Sequence, residues 1–169
     1  GALSMTVYNP IANVRAGYRN LLLMHGMVPG MDEFAHYEPG SQEIDAQLID
    51  PRFEYIALGH YHVHHKPNKN AWYSGSTERF GWGDEDVTPG FVTIEFAAGS
   101  TELGAVQHIP IAARTMKTLA AINGDGRPPR EIADIALKRA AELGDETAMA
   151  RIELRNVNRA TRRECEQLV

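Results

Sequence analysis

Apolar residues along this chain come in short blocks, separated by glycine, proline and acidic turns, and most blocks have the length of strands. Residues 20–24, Asn-Leu-Leu-Leu-Met, predict a short buried strand ending at His25-Gly26. Residues 26–40 carry Gly26, Pro29, Gly30, Pro39 and Gly40 and read as a loop. Ser41 is placed to cap a short helix over 42–48, with Glu43 and Asp45 in its first turn and Asp50-Pro51 as its stop. Residues 54–58 predict the next strand and 71–74 another. Between 75 and 89 lies a polar loop with the acidic run Asp84-Glu85-Asp86. Residues 91–96 are an apolar strand, Gly99-Ser100 a turn, and 105–109 the returning arm of a hairpin.

The pattern then changes. Residues 115–122 predict a strand and 124–129, Gly-Asp-Gly-Arg-Pro-Pro, a loop. Over 131–143 the apolar positions Ile132, Ile135, Ala136, Leu137 and Ala140 recur at helical spacing, and Gly144 stops the helix. Residues 148–154 alternate as a strand does, and 159–169 open a second helix. A β-rich body followed by a strand–helix–strand unit predicts an α/β (α+β) chain in two parts, 1–110 and 111–169.

Composition narrows this little. The chain has 169 residues, 43% hydrophobic and 23% charged, as in soluble globular proteins. No run approaches the roughly 20 apolar residues that span a bilayer, and the first five residues lack the basic and apolar regions of a signal peptide. A single cysteine, Cys165, rules out an internal disulfide and a cysteine-based zinc site, which suits a cytoplasmic protein. Net charge is −5, unevenly spread. Residues 1–109 hold 6 Lys+Arg against 13 Asp+Glu, and residues 110–169 hold 11 against 9. The first part has the carboxylate excess of a cation-binding body. The second, at +2, is a weak footprint for an anionic partner.

Candidate chemistry concentrates in Gly59-His60-Tyr61-His62-Val63-His64-His65, which holds four of the seven histidines. Imidazole is the commonest side-chain metal ligand. On an extended segment, residues two apart point to one side, so His60 and His62 are expected to converge. His25 has the same setting: an apolar strand, the histidine, then a glycine. Parallel strands ending together would bring these side chains to one sheet edge, where ligands bind in open α/β sheets. His36, His64, His65 and His108 read as hydrogen-bonded surface residues. A metallo-β-lactamase pattern needs Asp-His after the second histidine, where Val63-His64 stands. A cupin pattern needs a glutamate where Lys66-Pro67 stands.

Four ordered motifs go further. Leu21-Leu22-Leu23-Met24-His25-Gly26, the segment from Phe53 to His62, Trp72-Tyr73-Ser74-Gly75-Ser76-Thr77-Glu78-Arg79-Phe80, and Gly90-Phe91-Val92-Thr93-Ile94-Glu95 together resemble the second half of a calcineurin-like metallophosphoesterase. The resemblance is narrowest to SbcD-type DNA repair exonucleases and covers residues 20–110, then more loosely 111–169. It implies the second half of a four-layer β-sandwich flanked by helices, followed by a small α+β capping domain that helps place DNA. It implies two divalent metal ions, manganese by preference, with zinc, magnesium or iron as substitutes. His25 and His60 would ligate one ion and His62 the other. The partners implied are DNA, an SbcC-type ATPase and a second copy of the complete protein.

The family's earlier motifs, Asp-x-His, Gly-Asp and Gly-Asn-His-Asp, have no counterpart before His25. These would supply the bridging carboxylate and the histidine that assists the leaving group. The chain is therefore expected to be a portion of such an enzyme, inactive or very weak alone. Other readings are a phosphoesterase acting on small phosphodiesters or phosphoproteins, and a non-catalytic interaction fragment. The resemblance also makes Ser76 and Arg79 contacts for a phosphate, and Lys66 and Lys69 flank the same mouth. Trp72 and Trp82 read as packing anchors, and the arginines at 151, 155, 159, 162 and 163, interleaved with glutamates, as a solvated face.

Overall fold

The computed structural model describes residues 9–28 and 42–169. The expected loop at 26–40, with His36, and the proposed cap Ser41 fall largely or wholly outside these residues. Among the described residues, eight strands and two α-helices make a mixed α/β fold, and the chain divides into two compact units. The first comprises residues 1–78 and 87–112, the second 79–86 and 113–169.

The first unit is built on a four-stranded sheet ordered β1-β2-β4-β3: β1 (Leu21–His25), β2 (Tyr55–Gly59), β3 (His65–Asn68) and β4 (Ala71–Tyr73). β1 and β4 each run parallel to β2, and β3 is antiparallel to β4. Central strands of a parallel sheet are covered on both faces and read as continuous apolar runs. β2 and β4 do so: Ile56, Leu58, Ala71 and Tyr73 are buried and pack with Ile44 and Phe53 as the core. β1 departs from the buried strand expected. It lies at the sheet edge, turns Leu22 and Met24 to the core, and leaves Leu23 77% exposed. β3 is a strand that the sequence pattern does not announce, since His65-Lys66-Pro67-Asn68 is polar and contains proline. Proline is tolerated there because β3 is the opposite edge.

The expected helix over 42–48 does not form. Met27 N–H donates to the Gln42 carbonyl at 2.9 Å and Ile44 N–H to the Met27 carbonyl at 2.8 Å, so residues 42–44 are extended against residue 27. Only Ala46–Leu48 makes a single helical turn, capped by the Asp45 carboxylate accepting from Gln47 N–H. The unit is completed by the hairpin of β5 (Gly90–Phe96) and β6 (Leu103–Pro110), antiparallel as expected.

The second unit pairs β7 (Met116–Asn123) in parallel with β8 (Met149–Arg155), joined through α1 (Pro129–Ala141) and followed by α2 (Arg159–Leu168). Proline opens α1, where its missing N–H costs nothing. The Asn158 side chain accepts from Thr161 N–H to cap α2. Ile122, Ile132 and Cys165 are buried together, with Ile152, Leu154 and Val157 against them. Residues 79–86 join this unit through Glu85, which accepts from Thr118 N–H at 2.9 Å and pairs with Lys117.

Candidate metal centre

The β1–β2 register runs from Leu21↔Tyr55 to His25↔Gly59, so the two strands end level. Gly26 N–H donates to the Gly59 carbonyl at 3.0 Å and carries the pairing one residue further. The His25 ring lies over Gly59: a Cβ built there would sit 2.9 Å from His25 Nδ1. Only glycine leaves the ring its place.

His60 does not continue the strand. Its φ is 128°, in the region that favours glycine. A residue held there costs about 1–3 kcal/mol and persists only where its surroundings over-determine it. Here Tyr61, the next residue, packs edge-on against the buried Tyr73 ring, centroids 4.8 Å apart. The turn sets the His60 ring against His25 at 5.6 Å between centroids, nearly perpendicular. The expectation that His60 and His62 converge through a shared extended strand is thus corrected: β2 ends at Gly59, and the chain bends between them. The pair brought together is His25 and His60.

His62 is exposed, and its backbone is fixed by the following loop. Its carbonyl accepts from Ser76 N–H at 2.9 Å and from the Ser76 hydroxyl at 3.4 Å. Gly75, at φ +80°, approaches so closely that a Cβ would lie 2.9 Å from the His62 carbonyl oxygen. Ser74-Gly75-Ser76 is therefore a clamp on the histidine loop, and the buried Ser76 hydroxyl is turned to that carbonyl. Lys66 is exposed on β3, its ammonium 4.7 Å from the centre of the Trp72 ring. Trp72 is buried and stacked on Tyr55. Arg79 belongs to the second unit and donates to the Arg114 carbonyl at 2.9 Å. Trp82 lies in that unit too, beneath the Arg151 guanidinium.

Tyr73 is the supporting residue that the sequence reading missed. Fully buried, its hydroxyl donates to the Gly26 carbonyl at 2.8 Å and accepts from Val28 N–H at 2.9 Å. Burial pushes the phenol up to about 12. It ties down the backbone immediately after His25. The available signal was a tyrosine in a wholly apolar strand, since a buried phenol needs a partner. The sequence also gave no hint that His64 and His108 stack, 4.6 Å apart and 8° from parallel. His64 Nδ1 lies 2.9 Å from the Tyr73 carbonyl, and burial, with His64 beside it, holds His108 below the usual imidazole range.

A nitrogen-bound ion lies about 3.2 Å from a ring centroid, about 2.1 Å of bond plus the ring radius, so one ion can touch both the His25 and His60 rings across their separation. Among the described residues, no group of three or more His, Cys, Asp or Glu is gathered closely enough to hold a metal. The His25 and His60 rings are close enough for one ion to reach both, and the two-ion set is not assembled among these residues. The described residues include no helix long and apolar enough to cross a membrane. A scan against known protein families and a search of curated proteins both give no match.

Proposed function

We infer that the chain carries one side of a metal-dependent phosphodiesterase centre of the SbcD nuclease type. The observation behind this is the His25–His60 approach at the level ends of two parallel strands, with His60 held in a left-handed backbone. Strain of this kind gathers at functional sites. A surface histidine with no task has no reason to sit at φ 128°, where glycine would be easier.

In this reading His25 and His60 offer imidazole nitrogens to one ion, and His62 to a second. Manganese suits such a mixed imidazole and carboxylate donor set. Bound divalent ions would supply hydroxide near neutral pH and offset charge on the phosphoryl oxygens. The chain's own part is placement. Gly59 gives the His25 ring its room, Tyr73 holds the backbone after it, and the Ser76 clamp fixes the loop bearing His62. In this reading carboxylate ligands come from outside this histidine cluster. The first unit corresponds to part of the family's β-sandwich and the second to its cap. DNA is the substrate, and an SbcC-type ATPase and a second copy are the partners.

Anisotropy of labelled linear duplex DNA, at fixed ionic strength, tests the reading. Mn2+ is expected to tighten binding by the 169-residue chain, and His25→Ala or His60→Ala to remove that increment. An affinity indifferent to Mn2+ would refute a phosphodiester-directed metal site.

A further inference from the structure

Two histidines outside the proposed centre meet beside the loop that carries His62. His108, on β6, is not the hydrogen-bonded surface residue expected. Its Nε2 is buried and has no hydrogen-bond partner among the described residues. Val92 is its cross-strand partner, so Gly90, two residues before Val92, is a diagonal neighbour on the same face. The ring occupies the space that a side chain at 90 would need. A Cβ built on Gly90 would overlap His108 Nε2, lie 2.7 Å from Cε1 and stand 2.5 Å from the Ile109 carbonyl oxygen. Gly90 thus seats the His108 ring as Gly59 seats that of His25.

His64 stacks on the seated ring, centroids 4.6 Å apart and planes 8° from parallel. Its Nδ1 stands 2.9 Å from the Tyr73 carbonyl oxygen. A carbonyl only accepts, so Nδ1 carries the hydrogen. A ring N–H bonds along the plane of its ring. The flat face of His108 therefore holds the half-buried His64 ring in the one plane that aims Nδ1–H at Tyr73. Tyr73 is also the residue whose hydroxyl ties down the backbone after His25. The other anchors of the loop are on its backbone: Ser76 N–H on the His62 carbonyl, and Gly75 packed against that carbonyl and His64 N. The His64 ring adds a side-chain anchor to them.

We propose that His108 is a positioning residue for the metal centre: by fixing the plane of the His64 ring it keeps Nδ1–H on the Tyr73 carbonyl, and so holds the loop from which His62 reaches its ion. The role rests on the proposed function, since His62 is a ligand only in that reading. His108 acts through His64. The two rings do not chelate an ion themselves, because parallel rings aim their nitrogen lone pairs in separate planes.

Proton–nitrogen correlation NMR of the metal-free chain at about pH 8, above the ordinary imidazole range, reads which ring nitrogen of His64 carries hydrogen. Wild type is expected to show the Nδ1–H form. His108→Leu keeps an apolar group in the space but has no flat face. It is expected to leave His64 divided between the two neutral forms and to weaken Mn2+ uptake at least about threefold, less than the tenfold or more, roughly, that follows loss of a ligand's own hydrogen-bond partner. His108→Phe restores the flat face and should recover both readings. An Nε2–H form in wild type would overturn the proposal before any variant is made. So would a tautomer or an Mn2+ uptake that His108→Leu leaves unchanged, or a His108→Phe chain that behaves like His108→Leu. Failure of the metal reading is told apart from these. Wild type would then take up no Mn2+ while His64 still answered to residue 108, and the positioning of His62 would fall with it.

Discussion

Gly59→Ala separates the role of the sheet end from the stability of the sheet. The added Cβ would stand 2.9 Å from His25 Nδ1, with the next ring atoms at 3.7 and 3.8 Å, so one atom of one side chain is in the way. Restoring an ordinary contact of about 3.5 Å moves the ring by about 0.6 Å. Metal–ligand distances hold within about 0.2 Å, so the displaced nitrogen is lost to an ion shared with His60. The expected fall in affinity is at least about tenfold, equivalent to about 1.4 kcal/mol. The backbone should not object. Gly59 is not among the glycines at positive φ, and a compatible Gly→Ala change is worth about 0.4–1 kcal/mol through the unfolded chain. A ring pushed off its rotamer costs about 0.5–1.5 kcal/mol. Net stability should therefore stay within about 1 kcal/mol of wild type. Urea unfolding and Mn2+ titration on one preparation read both quantities. Wild-type metal affinity would show that the ring is not pinned over Gly59. A stability loss beyond about 2 kcal/mol would show that Gly59 serves strand packing instead.

Tyr73→Phe removes both hydrogen bonds behind His25 and leaves the Gly26 carbonyl and Val28 N–H short of a partner, so urea unfolding should show a loss of about 1–3 kcal/mol. His60→Gly relieves the left-handed backbone while deleting the imidazole. It should be neutral or more stable by up to about 1 kcal/mol in the same assay, yet lose Mn2+ affinity. Hydrogen bonds from Thr118 hold the Glu85 carboxyl down to about 2, below its ordinary 4.5. A depressed carboxylate contributes stability that is present above the ordinary value and lost as pH falls towards 2. In an NMR titration Thr118→Val should return the Glu85 midpoint towards 4.5, and an unmoved midpoint would contradict the assignment.

What could be read from the sequence follows from what each element depends on. β2, β5, β7 and α1 owe their place to local apolar patterns and are visible in them. β1 was visible as a strand but not as an edge, because its exposure depends on which strands flank it. β3 was invisible for a related reason: its polar, proline-containing sequence forms a strand only because β4 offers it an antiparallel edge. The helix expected at 42–48 lost to pairing with Met27, a contact no local window contains. At the site, the meeting of His25 and His60 followed from two strands each ending in apolar–His or Gly–His. The extended backbone that i, i+2 spacing assumes for His60 and His62 is not formed, because His60 sits at φ 128°. The partners of Tyr73 and the His64–His108 stack were out of reach because they lie 47 and 44 residues away in the chain.

In the proposed centre His25 and His60 act as one donor pair. Electron paramagnetic resonance of free Mn2+, titrated against wild type, His25→Ala and His60→Ala, measures this directly. Wild type should take up the ion, and each substitution alone should weaken uptake by at least about tenfold, since one imidazole cannot hold what two share. Uptake unchanged in either variant would contradict the claim that these two side chains form the metal centre.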